Sequence, residues 1–281
     1  DPRADSSAAY SIFEDKFVLF SERSRRSYNQ RCFIKPAGCK FAGRPLELFP
    51  GKLQKYWYLG WKKRTIFFLT HHLAPRGRIF LVELDEKCRK VVGEKEIVPQ
   101  TGENILFAAY HRNSLVVASI AQDGKSDKLR RYTHSGNLLE EIDMPFDGTI
   151  GSVMPVRDGL FFSLSSNDHL STIYYHCFKT GKTRAMYVPD FASDVETVSR
   201  IELVPSVDGT LVPMHISHRS DLKPSKAAPC LLNVYGGFGI QMRAHFNYQA
   251  WCWITLGGIW AQPYLRGGGE LGEQWHLQAT K

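Results

Sequence analysis

The chain has 281 residues, 43% hydrophobic and 23% charged, with 36 Lys+Arg against 28 Asp+Glu for a net charge of +8. That length supplies one or two domains with buried cores, and the composition excludes a disordered chain, a collagen and a coiled coil. No apolar run approaches the roughly 20 residues of a membrane-spanning helix, and the 23 glycines with 12% aromatic residues favour β structure.

Read in chain order, the first two-thirds is strand after strand. Lys16–Glu22, Tyr56–Trp61, Thr65–His71, Arg78–Leu84, Leu106–Tyr110, Ser114–Ile120, Lys128–Thr133, Gly159–Leu164 and Thr172–Phe178 are short and rich in β-branched or aromatic residues. Gly, Asn, Asp and Pro punctuate them, and no helical periodicity of useful length interrupts.

These strands recur in a fixed order. YWYLGW, TIFFLTH, RIFLVELDE and EIVP form one unit. ILFAAY, SLVVASIA, KLRRYTHSG and LLEEIDMP form the next, and IGSVMPV, GLFFSLSS, TIYYHCFKTG and TRAMYVP the one after. The units close near Pro99, Pro145 and Pro189, and their second strands begin at Thr65, Ser114 and Gly159. A weaker unit precedes them, through Tyr10, Lys16–Glu22, Arg31–Lys35 and Leu46–Pro50. A four-stranded unit repeating at this spacing is the signature of a β-propeller blade, which must stack on neighbours to bury its faces. About four blades fit before residue 190. The competing reading, an ordinary sandwich, does not require three successive units to keep one strand order.

The texture changes at residues 190–197, where the domain boundary is placed. Val198–Val204 and Leu211–Ser217 read as a hairpin around Asp208-Gly209. Leu222–Pro229 is a polar loop, Cys230–Val234 a short apolar strand, Ala250–Leu256 a helix, and Gly258–Leu265 a buried strand. Strand, glycine turn, helix, strand is the opening of an α/β layer.

The charge is uneven. Residues 196–281 hold 7 Lys+Arg against 6 Asp+Glu, a balance of +1, which leaves +7 for residues 1–195. The basic runs Arg23-Ser24-Arg25-Arg26, Lys62-Lys63-Arg64 and Arg130-Arg131 are short and lie between strands. They read as solvated hairpin tips and strand faces rather than a nucleic-acid surface. The six cysteines, at 32, 39, 88, 177, 230 and 252, include no C-x-x-C pair and no matching His spacing. They read as reduced, mostly buried thiols of a cytoplasmic protein that binds no metal and no cofactor.

Two motifs carry chemistry. Tyr235-Gly236-Gly237-Phe238 follows an apolar strand, and its glycines let the backbone turn sharply beside a ligand. A tyrosine hydroxyl held there can donate to a developing oxyanion. The second motif, Arg266-Gly267-Gly268-Gly269-Glu270, also ends a strand and runs on to Trp275-His276. It lacks the G-x-x-x-x-G-K-[ST] and G-x-G-x-x-G patterns of phosphate loops. Its local reading is structural, with Arg266 and Glu270 pairing to fix the loop and His276 without a catalytic role. The His71-His72 pair has no partner pattern, and the 281 residues contain no G-x-S-x-G.

The stretch from Val198 to Trp275 resembles the start of the catalytic domain of the prolyl oligopeptidase family of serine peptidases. The residues that carry the resemblance are VPSVDGTLVPMHISHR, LLNVYGGFGI and GGIWAQPYLRGGGELGEQWH. Upstream, YHCFKTGKTRAMYVP more diffusely resembles the last propeller blades of the same family. The resemblance implies a mainly β chain: residues 1–194 as a partial β-propeller, and 195–281 as the beginning of an α/β-hydrolase domain. It implies a propeller that admits short peptides and excludes folded proteins, and a hydrolase domain that cleaves, after proline, through an acyl-enzyme. Tyr235 matches the family's oxyanion donor. Phe238 matches the wall of the pocket for the residue before the scissile bond. Gly236, Gly237 and Arg266 to Glu270 match structural positions near the site.

In α/β-hydrolases the triad runs Ser, Asp, His, and the family's nucleophile motif follows RGGGE at a distance this sequence does not reach. The chain, which starts at Asp1 and stops at Lys281, is therefore expected to be an inactive fragment whose parent is the enzyme. The expected partners are short peptide substrates, with no nucleic acid, no membrane and a monomeric state. The alternatives are a catalytically inactive interaction protein with this fold, and an oligopeptidase specific for basic residues.

Overall fold

In a computed structural model, the described residues are 6–13, 17–24, 30–36, 45–51, 55–121, 123–124, 127–167, 169–190, 195–223 and 228–279. Short runs of β-branched and aromatic residues between tight turns pair with the next run in sequence. Four antiparallel meanders result, each of four strands in sequential order. The first holds β1 (Ser6–Phe13), β2 (Phe17–Ser24), β3 (Gln30–Pro36) and β4 (Leu46–Glu47). The second holds β5 (Tyr56–Lys62), β6 (Thr65–Thr70), β7 (Arg78–Leu84) and β8 (Val91–Val98). The third holds β9 (Asn104–His111), β10 (Ser114–Ile120), β11 (Asp127–Thr133) and β12 (Leu138–Ile142). The fourth holds β13 (Thr149–Val156), β14 (Gly159–Ser165), β15 (Thr172–Cys177) and β16 (Lys182–Tyr187). These are the repeating units expected from the sequence, and they make a partial propeller.

The chain divides into two compact units, Asp1–Gln100 and Thr101–Lys281. The expected boundary at 190–197 lies inside the second unit and takes in residues 191–194, which are outside the described residues. In the first unit, Leu19 and Ile34 of the first sheet, with Leu48 just after β4, share a core with Ile66, Phe68 and Phe80 of the second. Phe49, in the link between the sheets, stacks on Tyr56 with ring centroids 4.1 Å apart and meets Phe68 edge-on at 5.3 Å. In the second unit, Val116, Leu129 and Ile142 of the third sheet pack on Ile150, Leu160 and Phe162 of the fourth. Each fully buried side chain of this size contributes about 1.5–3 kcal/mol, which neither sheet of a pair would gain alone. Every residue of β10 is buried. A strand covered on both faces has no solvent side, so Leu115–Ala118 run apolar without a break and Ser114 and Ser119 are buried with them.

The fifth sheet has the order β17-β18-β20-β19. β17 (Thr197–Pro205) and β18 (Leu211–Arg219) form the expected hairpin, with Gly209 at φ +81° in its turn. β18 pairs antiparallel with β20 (Ile259–Pro263), which pairs parallel with β19 (Cys230–Leu232). The crossover carries α1 (Tyr248–Thr255), whose Ala250 and Ile254 pack on Trp260 of β20. Trp253 Nε1 donates to Ile259 O at 3.0 Å and fixes the return. A parallel pair joined by a helix is the start of an α/β layer. Asn247 caps α1 by accepting from Gln249 N at 2.8 Å. Asn247→Ala is expected to lower unfolding stability by about 1 kcal/mol, read as a shift of the urea midpoint with an unchanged slope.

Two expectations need correction. The cysteines are not mostly buried. Cys32 and Cys88 are, Cys177 is half-buried, and Cys230 and Cys252 are exposed, on β19 and on the outer face of α1. Cys39 lies outside the described residues. Burial pushes the Cys32 thiol up to about 12, so it stays protonated. α2 (Glu273–Leu277), within the second motif, was not foreseen, since five residues are too few to show a helical period.

The basic runs are accounted for where they are described. Lys62, Lys63 and Arg64 form the β5–β6 hairpin tip, with Lys63 at φ +57°. Arg130 binds Glu103 and Glu141, and Arg131 lies 2.6 Å from Glu140 and over the Phe178 ring at 4.0 Å. The Arg130 guanidinium holds the Glu103 carboxyl down to about 2. These arginines are committed to partners in and beside the third sheet and at the end of β15. Among the described residues, no helix is long and apolar enough to cross a membrane.

Candidate functional site

Both glycine motifs sit beyond the ends of the parallel strands of the fifth sheet, and the fold docks one against the other. In the first, Gly236, Phe238 and Gly239 adopt φ of +64°, +55° and +66°. The left-handed region disfavours any residue with a Cβ, so the chain reverses over four residues after β19. Gly239 N donates to Gly267 O at 2.9 Å, and Gly269 N donates to Ile240 O at 3.3 Å. The two loops therefore touch backbone to backbone.

That contact explains the glycines. A Cβ on Gly267 would collide with Gly236 O, one on Gly269 with Gly239 O, and one on Gly268 with the Glu270 carboxylate. A Cβ on Gly236 would lie 2.8 Å from Leu265 Cβ. Gly237 is different, since only Tyr235 Cε1 at 3.7 Å would meet its Cβ. Gly236→Ala is expected to cost about 1–3 kcal/mol. Gly181→Ala, at φ +66° with open space around it, should cost less, about 1 kcal/mol. The difference between their urea midpoints measures the docking of the loops, and equal losses would contradict it.

The docked loops leave Tyr235 half exposed and Phe238 three-quarters exposed (50% and 74%). The Tyr235 hydroxyl has no hydrogen-bond partner among the described residues. It is held by its turn with its donor available. Phe238 offers an apolar ring to solvent three positions on.

Arg266 and Glu270 are not a pair, contrary to the sequence expectation. Arg266 ion-pairs with Asp208 of the β17–β18 turn and reaches Ser206 Oγ at 3.4 Å. It holds the Asp208 carboxyl down to about 2. Glu270 is fully buried and faces the other way, accepting from Met242 N at 2.7 Å through Oε1. Its Oε2 has no partner among the described residues. Residues i and i+4 meet on a helix, but here the chain between them turns through three glycines and separates the side chains. Burial pushes the Glu270 carboxyl up to about 7.

His276 accounts for itself structurally. Its Nδ1 lies 2.8 Å from Gly267 O, and since a carbonyl only accepts, that nitrogen carries the proton. Trp275, buried beside it, donates from Nε1 to Tyr264 O at 3.0 Å. The His71 ring lies 5.3 Å from Trp57 in the second sheet.

Several residues that hold this site gave no sign in the sequence. Strand register places Asn104, Asp127, Thr149 and Ser165 at one end of the third and fourth sheets, since Ile120 pairs with both Asn104 and Asp127, and Thr149 pairs with Ser165. From that end, Asn104 Nδ2 donates to Gly269 O at 3.2 Å and to Glu270 O at 3.1 Å. Asp127 ion-pairs with Arg243, both nearly buried. Asn167 Nδ2 donates to His215 Nδ1 of β18 at 2.9 Å. A cleft of about 300 Å³ remains beside these contacts, walled by Asp127, Thr149, Ser199, His215, Arg243 and Tyr264.

Residues 5–189 match the model of the prolyl oligopeptidase N-terminal β-propeller domain. The prolyl endopeptidase of Elizabethkingia miricola is 30% identical over 226 residues, covering 77% of this chain and 30% of that protein. A prolyl endopeptidase-like protein of Rattus norvegicus is 42% identical over 79 residues, 28% of this chain and 11% of that protein. Among solved structures, one from a structural and mechanistic study of two prolyl endopeptidases superposes with a TM-score of 0.84 at 28% identity. It covers 97% of this chain and 40% of that one. A mutant of prolyl oligopeptidase B from Galerina marginata, bound to a 25mer macrocyclization substrate, gives 0.87 at 20% identity over 99% of this chain and 40% of that one. The chain thus spans about 30% of the length of the prolyl endopeptidase it matches over most of its length.

Proposed function

We propose, from the premise that this chain belongs to the prolyl oligopeptidase family, that the whole protein hydrolyses short peptides after proline by serine acyl transfer. In this reading residues 1–194 are propeller blades and 195–281 open the catalytic domain. The observation that carries it is the Tyr235–Phe238 turn, which holds a free phenol and an exposed aromatic ring on one rigid reversal beyond β19.

The chemistry assigned to the turn is specific. A serine hydroxyl, supplied outside these 281 residues, gives its proton to a general base as its oxygen attacks the carbonyl carbon. The carbonyl π pair moves to oxygen, and the protonated base is the acid that later serves the leaving amine. The Tyr235 hydroxyl donates to that oxyanion, a bond that strengthens as charge develops. Collapse expels the amine, which takes a proton from the general acid, and water then cleaves the ester. Phe238 packs on the ring of the residue before the scissile bond. Apolar contact with a compact proline ring suits it better than a long cation.

The test is selectivity. Matched fluorogenic peptides with proline or arginine before the scissile bond are offered to the whole protein. A kcat/KM for proline at least about tenfold above that for arginine is expected, the scale on which an apolar pocket discriminates. Preference for arginine would move the assignment to a basic-residue peptidase. Absence of turnover, together with no labelling by a serine-directed organophosphonate, would leave an interaction protein.

A further inference from the structure

The segment 240–246 that follows the Tyr235 turn belongs to no helix or strand. Its place is therefore set by what grips it. Gln262 Nε2 of β20 donates to Met242 O at 3.0 Å, and Glu270 takes Met242 N. The next residue is gripped from the propeller. Arg243 NH1 donates to Ile150 O at 3.2 Å and its NH2 to the Asp127 carboxylate, which also accepts from Ile150 N at 2.6 Å. Two residues on, His245 Nδ1 lies 3.1 Å from Ser165 Oγ. Asn104 clamps the partner loop at Gly269 and Glu270.

We propose that Asp127 and Asn104, on the third propeller sheet, are positioning residues for the Tyr235 turn. The propeller ends then act through the two loops on the oxyanion donor, beyond any part in admitting substrate. The physical reason is the buried cation. Arg243 has no carboxylate other than Asp127 in an ion pair with it among the described residues, and its Nε is already without a partner. A guanidinium left buried without its counterion is strongly destabilised. Relief comes by moving Arg243 toward water, and the backbone from Gly239 moves with it. The catalytic consequence rests on the reading of Tyr235 given above. The mechanical one does not.

Amide hydrogen exchange on this chain separates the two. Asp127→Asn keeps an acceptor for Ile150 N and removes the charge. Exchange at Gly239, Ile240 and Met242 should accelerate by about tenfold or more, while the β17–β18 amides stay unchanged. Adding Arg243→Met, which deletes the stranded cation, should restore slow exchange at these amides. A role confined to the propeller would instead accelerate Ile150 alone, with no rescue, and would overturn the proposal. Should Asp127→Asn not fold, Asn104→Ala, which strands no charge, gives the same decision through faster exchange at Gly239 and Gly269. Unchanged exchange there overturns it. In the whole protein, Asp127→Asn should lower kcat and leave KM unchanged, with kcat recovering in the double variant. If the unaltered whole protein cleaves no peptide, the peptidase reading fails, and the exchange result still decides the positioning.

Discussion

Tyr235→Phe in the whole protein is expected to lower kcat by about 10²–10³-fold with little change in KM, the loss typical of one oxyanion donor. The substitution deletes one hydroxyl. That hydroxyl has no hydrogen-bond partner among the described residues, and the side chain is half exposed, so no buried acceptor is orphaned and no cavity opens. The melting temperature should stay within about a degree of the unaltered protein, because surface changes of this kind lie within about 0.5 kcal/mol. Activity and stability therefore separate, which a packing role for Tyr235 would not allow. Full activity in Tyr235→Phe would remove the residue from the mechanism. Lost activity with a lowered melting temperature would make it structural.

Glu270 gives the second large effect, through pH. Its carboxyl is fully buried, and that burial raises its proton affinity more than the Met242 N–H, its own backbone N–H and the nearby Arg243 charge lower it. The neighbouring Tyr264 is itself held neutral, pushed up to about 12 by burial. The folded-state value of about 7 exceeds the ordinary 4.5, so the folded chain binds the proton more tightly than the unfolded one. Below about pH 4.5 both states are protonated, and this group's contribution is fully present. As pH rises toward 7 the unfolded chain ionises first, and stability falls by about 1.4 kcal/mol per pH unit. By pH 8 the loss has levelled at about 3 kcal/mol. Glu270→Gln keeps an acceptor for Met242 N and cannot ionise. The variant should match the unaltered chain near pH 4.5 and exceed it in urea midpoint at pH 8. Carboxylates held low, such as Glu103 and Asp208, lose stability as pH falls and do so equally in both proteins. Parallel pH curves for the two would show that folding leaves the proton affinity of Glu270 unchanged.

The strands were legible because each blade is nearly autonomous in sequence. Strand pairs with next strand, and a central strand such as Ser114–Ile120 declares itself by carrying no charged residue. The repeat made the fold class readable where single strands would not. The two loops were legible as loops, because three consecutive glycines have few other uses. Their mutual contact was not, since Gly236 meets Gly267 and Gly239 meets Gly269 across about 30 positions with no side chain to signal it. The pairing of Arg266 with Asp208 rather than Glu270 turned on a reversal that spacing does not encode. Asn104, Asp127 and Arg243 were beyond reach for the same reason. Asp127 and Arg243 are 116 positions apart, and a buried ion pair looks in sequence like two surface charges. Cys230 and Cys252 were misread because cysteine is usually buried, and this edge strand and helix face leave them in solvent.

In the proposed function, a propeller admits peptides to a hydrolase site carrying Tyr235. The most direct measurement offers the whole protein one proline-containing sequence in two forms, as a free short peptide and as a surface segment of a stably folded protein. Cleavage after proline in the peptide, with the folded protein left intact, is the predicted result. Equal cleavage of both, or none of the peptide, would contradict it.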